Sequence, residues 1–315
     1  MVDLKLEIPE SFFEEEVREG FFVSSEMKKV WAVELDLLNE FMRVCNKYGI
    51  KYYTAAGTTI GALRHGGFIP WDDDIDVMMT REEYRKLEKI ASKEFCYPYF
   101  WQTEATDPES FRVHAQLRNS LTTGILVNEF EGKYKFNQGI FLDVFPLDYI
   151  PDDETIRKKY FSELVKKKKR MTRYLHITLR FIKREISIKQ FVKRIVHFLL
   201  TVGVSEQTQY KVMRKYYDDF DNSIQSYATK NTDTVCYLIS KPGEEKCIWD
   251  KKWLETTIEV PFEMLKVPVP IGYESLLRKQ YGEWKTPSQQ PTMHGEVIFD
   301  VDKSYKEYIQ TKKDY

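Results

Sequence analysis

The sequence predicts an α/β (α+β) chain, a small mixed sheet flanked by helices with a basic helical insertion, and three observations predict it. Short runs of β-branched and aromatic residues alternate with stretches whose apolar residues recur every three or four positions, which is how strands and packed helices interleave in one chain. Between Glu154 and Gly203 the chain carries many lysines and arginines with no proline or glycine, so that stretch reads as helical and basic. At 315 residues, 42% hydrophobic and 15% aromatic, there is ample material for a core of one large or two modest domains.

The elements follow in order. Ser25 to Tyr48 places Val30, Val33, Leu37, Leu38, Phe41 and Cys45 at helical spacing and feeds a strand, Lys51 to Ala56, that turns at Gly57. Thr58 to Leu63 forms a short helix whose first N–H groups are unpaired and suit a phosphate. Arg64 to Gly67 loops back to Pro70, and Asp74 to Met79 reads as a second strand. Residues two apart on a strand face the same way, so Asp74 and Asp76 project together while Ile75 and Val77 point into the core. Thr80 and Glu83 match a capping box that opens a helix from Arg81 to about Ser92. Tyr97 to Gln102 is a short aromatic strand. Phe111 to Arg118 alternates apolar and polar residues; Arg118 is the candidate donor fork for a phosphate, and His114 reads as an ordinary polar residue of a half-exposed sheet.

Gly139 to Phe145 reads as another strand, with Asp143 between Phe141 and Phe145 on one face, where a carboxylate is costly to bury without a partner. Asp148 reads as a turn or capping residue. After the basic stretch, Ser205 to Ile224 is a further helix, and Thr234 to Ser240 a strand broken at Lys241-Pro242-Gly243. Ile258 to Pro261 and Lys266 to Pro270 read as edge segments, because proline cannot donate to a central ladder. Tyr273 to Tyr281 is a short helix ended by Gly282; a polar stretch with His294 and a charged terminal helix follow. The organisation expected is a core over 1–152, a basic helical insertion over 153–228 and a C-terminal segment over 229–315 that completes the core.

Two carboxylates held side by side repel each other unless a cation lies between them, and oxygen ligands of this kind suit Mg²⁺ or Mn²⁺, which share their shell with substrate phosphates. The run GTTIGALRHGGFIPWDDDIDV resembles the signature of the LicD family, phosphocholine transferases of bacterial surface glycans with the fukutin-type proteins among their eukaryotic cousins. The resemblance extends to NQGIFLDVFPLDYIP and, more weakly, to PFEMLKVPVPIGYESLLRKQYGEW and His294-Gly295. It implies a nucleotidyltransferase-like mixed sheet with a metal held by Asp74 and Asp76, and Asp143 as the third carboxylate that completes the shell or takes a proton from an acceptor hydroxyl. Gly57, Thr58, Thr59 and Arg64 are then the expected phosphate contacts, with Arg118, His65 and His294 as further donor or acceptor contacts.

The resemblance further implies a CDP-linked alcohol as donor, CDP-choline first, a hydroxyl of a surface glycan or glycolipid as acceptor, and CMP as the released product. Candidates for enclosing a trimethylammonium head are Trp71, Tyr99, Trp101, Phe141 and Trp284. The alternatives are a nucleotidyltransferase that uses an NTP and releases pyrophosphate, a ribitol- or glycerol-phosphate transferase, and a catalytically inactive scaffold.

The formal net charge of -1 hides an acidic start and a basic middle third. The basic stretch reads as a solvated helical face or as one that rests on anionic lipid; no nucleic-acid-binding motif accompanies the charge, so no nucleic acid partner is expected. Cys45, Cys96, Cys236 and Cys247 have neither zinc nor disulfide spacing. The acidic start is not a secretory signal and no run reaches the ~18 apolar residues of a spanning helix, so the expected location is the cytosol, with peripheral contact at the inner face of the cell membrane.

Overall fold

The computed structural model describes residues 1–127, 135–179, 203–230, 232–238, 242–289 and 295–313. In chain order its strands are β1 (Glu16–Arg18), β2 (Phe21–Val23), β3 (Tyr53–Thr54), β4 (Ile75–Thr80), β5 (Tyr99–Gln102), β6 (Ala115–Asn119), β7 (Thr123–Leu126), β8 (Ile140–Ile150), β9 (Thr234–Cys236), β10 (Ile248–Asp250), β11 (Thr257–Phe262), β12 (Leu265–Pro270) and β13 (Val297–Asp300). The α-helices are α1 (Ser25–Tyr48), α2 (Ala56–His65), α3 (Arg81–Glu94), α4 (Glu154–Leu179), α5 (Glu206–Ile224), α6 (Tyr273–Tyr281) and α7 (Tyr305–Lys313).

Strand β8 organises the main sheet. Its whole length is apolar or buried, so it belongs at the centre. It runs parallel to β4, with Ile75 opposite Leu142, Asp76 opposite Asp143 and Thr80 opposite Leu147. On its other edge the first half pairs with β6 and the last three residues with β9. Strand β5 lies outside β6, β10 outside β9 and β3 outside β4, giving a seven-stranded mixed sheet as the α/β class requires. The strand continues through Pro146-Leu147-Asp148, where the sequence suggests a turn. Pro146 is tolerated because it falls between the stretch paired with β6 and the stretch paired with β9, where a missing N–H does least harm to that ladder.

One face of the sheet is the core. Ile75, Val77, Met79, Leu142, Val144, Ala115 and Leu117 point into a single cluster with Trp31, Val33, Leu37, Leu38 and Phe41 of α1. These α1 residues are fully buried, and each such side chain contributes ~1.5–3 kcal/mol by leaving water. Helix α1 is opened by Ser24, whose Oγ accepts from the Met27 N–H, and closed by Gly49 at φ +62°. Its buried Asp36 accepts from the N–H groups of Lys5 and Leu6 and from the Tyr99 hydroxyl, which ties the first residues of the chain to the sheet.

The expected capping box forms only by half. Thr80 accepts from the Glu83 N–H at 3.5 Å, but the Glu83 carboxylate takes the Lys51 N–H instead of reaching back, because the start of β3 lies beside it. Arg81, the first residue of α3, instead makes a bidentate pair with Asp148, 2.7 Å to each oxygen, so Asp148 is an ion-pair partner inside a strand and not a turn residue.

Helices α4 and α5 pack together through Tyr160, Phe161, Leu164, Met213, Tyr217 and Phe220, over Ile150 and Cys236 of the sheet. The helical reading of 154–203 holds from Glu154 to Leu179; residues 180–202 lie outside the described residues. The two proline-rich segments pair with each other as the β11–β12 ribbon. Among the described residues no helix is long and apolar enough to cross a membrane.

Candidate active site

The face of the sheet opposite α1 carries a row of polar side chains, one per strand. Gln102 of β5 is opposite Gln116 of β6, Gln116 is opposite Asp143 of β8, and Asp143 is opposite Asp76 of β4. Register-matched residues of adjacent strands share a face, so the two acids of different strands stand side by side. Asp143 Oδ1 accepts from Gln116 Nε2 at 2.7 Å and lies 3.1 Å from His114 Nε2. Burial alone would raise the Asp143 carboxyl, but the charge and hydrogen bond of His114, the Gln116 amide and the charge of Arg112 outweigh it and hold the carboxyl below its ordinary value.

The start of α2 closes this row from the β3 side. The Ala55 N–H donates to the Asp76 carbonyl at 2.9 Å, and the Asp76 N–H donates to Thr58 Oγ1 at 2.8 Å. The first turn of the helix is thereby fastened to the strand that carries Asp76. Ala56, not Gly57, takes the left-handed conformation at this turn, φ +44°. Gly57 lets the Asp72 carboxylate lie close: a Cβ built on it would stand 2.3 Å from Asp72 Oδ2, so that side chain would have to move.

Above the row lies the loop of Asp72, Asp73 and Asp74. One oxygen from each lies within 4.8 Å of the others, and among the described residues no other three acids, histidines or cysteines converge so closely. The loop is held from below, where Trp31 of α1 donates its Nε1–H to the Asp72 carbonyl at 2.9 Å and stacks on Phe68 at 4.5 Å. Gly61 of α2 lets the chain return, since a Cβ there would meet the Gly67 carbonyl at 2.4 Å. Strand β4 begins at Ile75, so Asp74 belongs to this loop triad, while Asp76 faces Asp143 in the sheet. Asp74, Asp76 and Asp143 therefore share one mouth but not one three-oxygen group, because the two-residue strand alternation starts one residue too late to include Asp74.

Two tyrosines border the acids. Tyr237, just after β9, has its phenol pushed up by burial and by the charges of Asp76 and Asp143. Tyr281, at the end of α6, is pushed up by burial of its hydroxyl end and by Asp76, Asp72, Cys247 and Asp74, although 44% of the residue faces solvent. The His114 ring lies 4.8 Å from Phe145, which lies 5.0 Å from Tyr237. These residues, with Asp72, Asp73 and Gln116, are the ones that strand alternation and spacing miss. Asp72-Asp73 stood in the sequence as part of an acidic triplet, but Tyr237 and Tyr281 reach the site only through long-range folding.

Several expected contacts lie elsewhere. Arg118 is 1% exposed; it donates to Gln102 Oε1, the Gly139 carbonyl and Gln116 Oε1 and lies over the Phe141 ring, so it supports the polar row from within and presents no fork at its surface. Thr59 is buried and donates to Thr54 Oγ1, away from the mouth. Arg64 and His65 sit in the last turn of α2, and Arg64 lies seven positions along the helix from Gly57, about 10 Å. Arg64 donates to the Trp284 carbonyl and to His65 Nε2, and His65 Nδ1 faces Glu19 at 3.2 Å. His294 lies outside the described residues. Of the aromatic candidates, Tyr99 and Trp101 belong to the core on the opposite face and Phe141 is covered by Arg118, whereas Trp71 adjoins the acid loop, half-buried against Phe21.

The strands and loop that carry these acids lie in a stretch similar to known proteins. Residues 49–185 match the family described as "LicD/FKTN/FKRP, nucleotidyltransferase domain", a span that contains β3, α2, the acid loop, β4, β6 and β8. The lipopolysaccharide cholinephosphotransferase LicD of Haemophilus influenzae is 26% identical over 261 residues, which is 81% of this chain and 90% of that protein. Residues 49–185 thus carry a domain of the LicD type. More distant likenesses flank this one. An uncharacterized protein of Rickettsia prowazekii, RP689, is 28% identical over 39% of this chain and 44% of its own length. The human ribitol 5-phosphate transferase FKRP is 31% identical over 78 residues, 23% of this chain and 16% of that protein. The match to the Haemophilus protein is longer than the matched domain, 261 residues against the span 49–185.

Proposed function

We propose that the protein is a phosphotransferase that moves an alcohol phosphate, phosphocholine first, from a CDP-linked donor to a hydroxyl of a surface glycan or lipid-linked glycan precursor. The observation that carries this reading is the facing pair Asp76 and Asp143 beside the opening turn of α2, in a chain similar over most of its length to a lipopolysaccharide cholinephosphotransferase. A polyol phosphate is the second donor, favoured by the likeness to a ribitol 5-phosphate transferase.

The residues of the mouth fit a hard divalent cation, Mg²⁺ or Mn²⁺: all candidate donors are carboxylate oxygens, three of them already within 4.8 Å of one another. Asp74 and Asp76, with Asp72 and Asp73 around them, would hold it. Such an ion supplies charge neutralisation to a diphosphate and to its departing phosphate.

The chain's own groups account for the rest. The N–H groups at the start of α2, open at Gly57, bind and orient a phosphate of the donor. Asp143, ionised and held through Oδ1, takes the proton from the acceptor hydroxyl as that oxygen attacks the phosphorus distal to the nucleoside. The bond from this phosphorus to the bridging oxygen breaks and CMP leaves. Tyr237, Tyr281 and Trp71 offer ring faces and hydroxyls at the rim for the alcohol head group, where a cationic head gains ~0.5–2 kcal/mol per well-placed ring.

The test is product analysis with Mg²⁺ and a panel of CDP-choline, CDP-ribitol, CDP-glycerol and the four NTPs. Release of CMP from a CDP-alcohol supports the reading, and release of pyrophosphate from an NTP replaces it with nucleotidyl transfer. Supplying CDP-choline and the polyol donors together with a membrane glycan fraction, and following the phosphodiester by phosphorus NMR, ranks the head groups. Exclusive polyol transfer would remove choline and leave the reaction type standing.

A further inference from the structure

The hydrogen bonds behind Asp143 have a fixed direction. Arginine can only donate. Arg118 Nη2 donates to Gln116 Oε1, so the other end of that amide, Nε2, must face Asp143. Arg118 Nε donates to Gln102 Oε1 at 2.6 Å, which turns the Gln102 Nε2 toward Asp107 Oδ2 at 2.6 Å and the Asn137 carbonyl at 2.8 Å. The amide orientations are thus not free choices; a buried guanidinium sets both. Arg118, Gln116 and Gln102 are at most 2% exposed.

The consequence appears at Asp143. Its hydrogen bonds among the described residues, from Gln116 and with His114, go to Oδ1. With Oδ1 occupied by two neighbours and 12% of the side chain still exposed, the remaining oxygen, Oδ2, is the one left for a ligand. We infer that Arg118 and Gln116 are positioning residues: the chain from Arg118 through Gln116 to Asp143 holds the carboxylate by one oxygen and aims the other at the acceptor hydroxyl. This inference rests on the assignment of Asp143 as the group that takes the acceptor proton. It gives a role to the buried charge of Arg118, which the packing of a core strand would otherwise not need, and it accounts for the glutamine that stands opposite Asp143 on β6.

The variant that tests it is Gln116→Glu. A glutamate at this position still accepts from Arg118, so the support of the fold is kept, but it offers no donor to Asp143 and sets a second carboxylate against it. If Gln116 only fills space and satisfies Arg118, Gln116→Glu behaves as wild type. If it positions Asp143, kcat for transfer from CDP-choline to a membrane glycan fraction falls about 100-fold with the KM for CDP-choline unchanged. Gln116→Met, which loses both contacts, is expected to fall at least as far. Wild-type kcat in Gln116→Glu overturns the inference while leaving the transferase standing.

A second readout is independent of turnover. In metal-free protein labelled with ¹⁵N-glutamine, one side-chain amide proton of Gln116 should be shifted downfield and protected from exchange. Both features should vanish in Asp143→Ala and in Arg118→Met. If wild type releases no CMP from any CDP-alcohol yet shows this signature, the transferase reading fails and the directed contact remains. An unprotected Gln116 amide in wild type overturns the inference whatever the activity.

Discussion

The pairing that sets Asp76 opposite Asp143 should be sensitive to one ion pair five residues further along both strands. Arg81 follows β4 as Asp148 follows Asp143 on β8, and their bidentate contact, 2.7 Å on each arm, continues the parallel register beyond Thr80 and Leu147. Both side chains are sealed, 4% and 2% exposed. Replacing Arg81 by methionine leaves the Asp148 carboxylate buried with its main counter-charge gone. Breaking such a pair from one side costs about 3–5 kcal/mol, because the remaining charge keeps its desolvation penalty. Against a typical total stability of ~5–15 kcal/mol this is a large share. Replacing both residues, Arg81→Met with Asp148→Leu, removes the orphaned charge and should return the protein to within about 1–2 kcal/mol of wild type. Urea unfolding of the four proteins, followed by circular dichroism, closes the cycle. A loss below about 1 kcal/mol in Arg81→Met, or a double variant as unstable as the single one, would refute the reasoning.

Other outcomes follow from the same geometry. Asp76→Asn and Asp74→Asn should each lower turnover by at least about a thousandfold, roughly 4 kcal/mol of barrier, while the metal-free melting temperature stays level or rises as carboxylate repulsion is relieved; the check is a melting curve beside a CMP-release assay. The Asp143 carboxyl is held below its ordinary value despite burial, chiefly by His114 and Gln116, so its contribution to stability is present above the unfolded value of ~3.9 and is lost as pH falls through the lower folded value. The stability difference between wild type and Asp143→Asn, measured by urea unfolding from pH 6 to pH 2, should therefore shrink toward the acid end. Helix α4 exposes Lys158, Lys159, Lys166, Lys169 and Arg170, and at ~1 kcal/mol per charge near an anionic surface three engaged side chains would give roughly a hundredfold preference for anionic vesicles over neutral ones in flotation at low salt. Equal flotation with both would return this helix to an ordinary solvated face.

What could be read in advance was what short-range chemistry determines. Helix α1 was visible because its apolar period matches one buried face, and the α2 turn because a glycine followed by threonines precedes an acidic run. The position of Asp143 among phenylalanines already signalled a carboxylate in need of a partner. The partner itself was not visible: His114 and Gln116 precede it by more than twenty residues and meet it only because β6 pairs antiparallel with β8. The same long-range pairing explains why Arg118 turned inward. Its strand neighbours are polar, and the alternation that suggests a wet face cannot distinguish water from a buried amide network. Asp74 was assigned with Asp76 by strand alternation, and the assignment depended on where β4 begins, a boundary that three consecutive aspartates do not mark. The prolines of 261, 268 and 270 correctly demoted their segments to edges, yet nothing local indicated that those edges pair with each other.

The most direct test of the central claim is the fate of the phosphorus distal to the nucleoside. CDP-choline labelled at that phosphorus, incubated with the protein, Mg²⁺ and a membrane glycan fraction, should deliver the label to the glycan as a phosphodiester and release unlabelled CMP, with no transfer in Asp76→Asn. Label retained in the nucleotide product, or transfer undiminished in Asp76→Asn, would contradict the account.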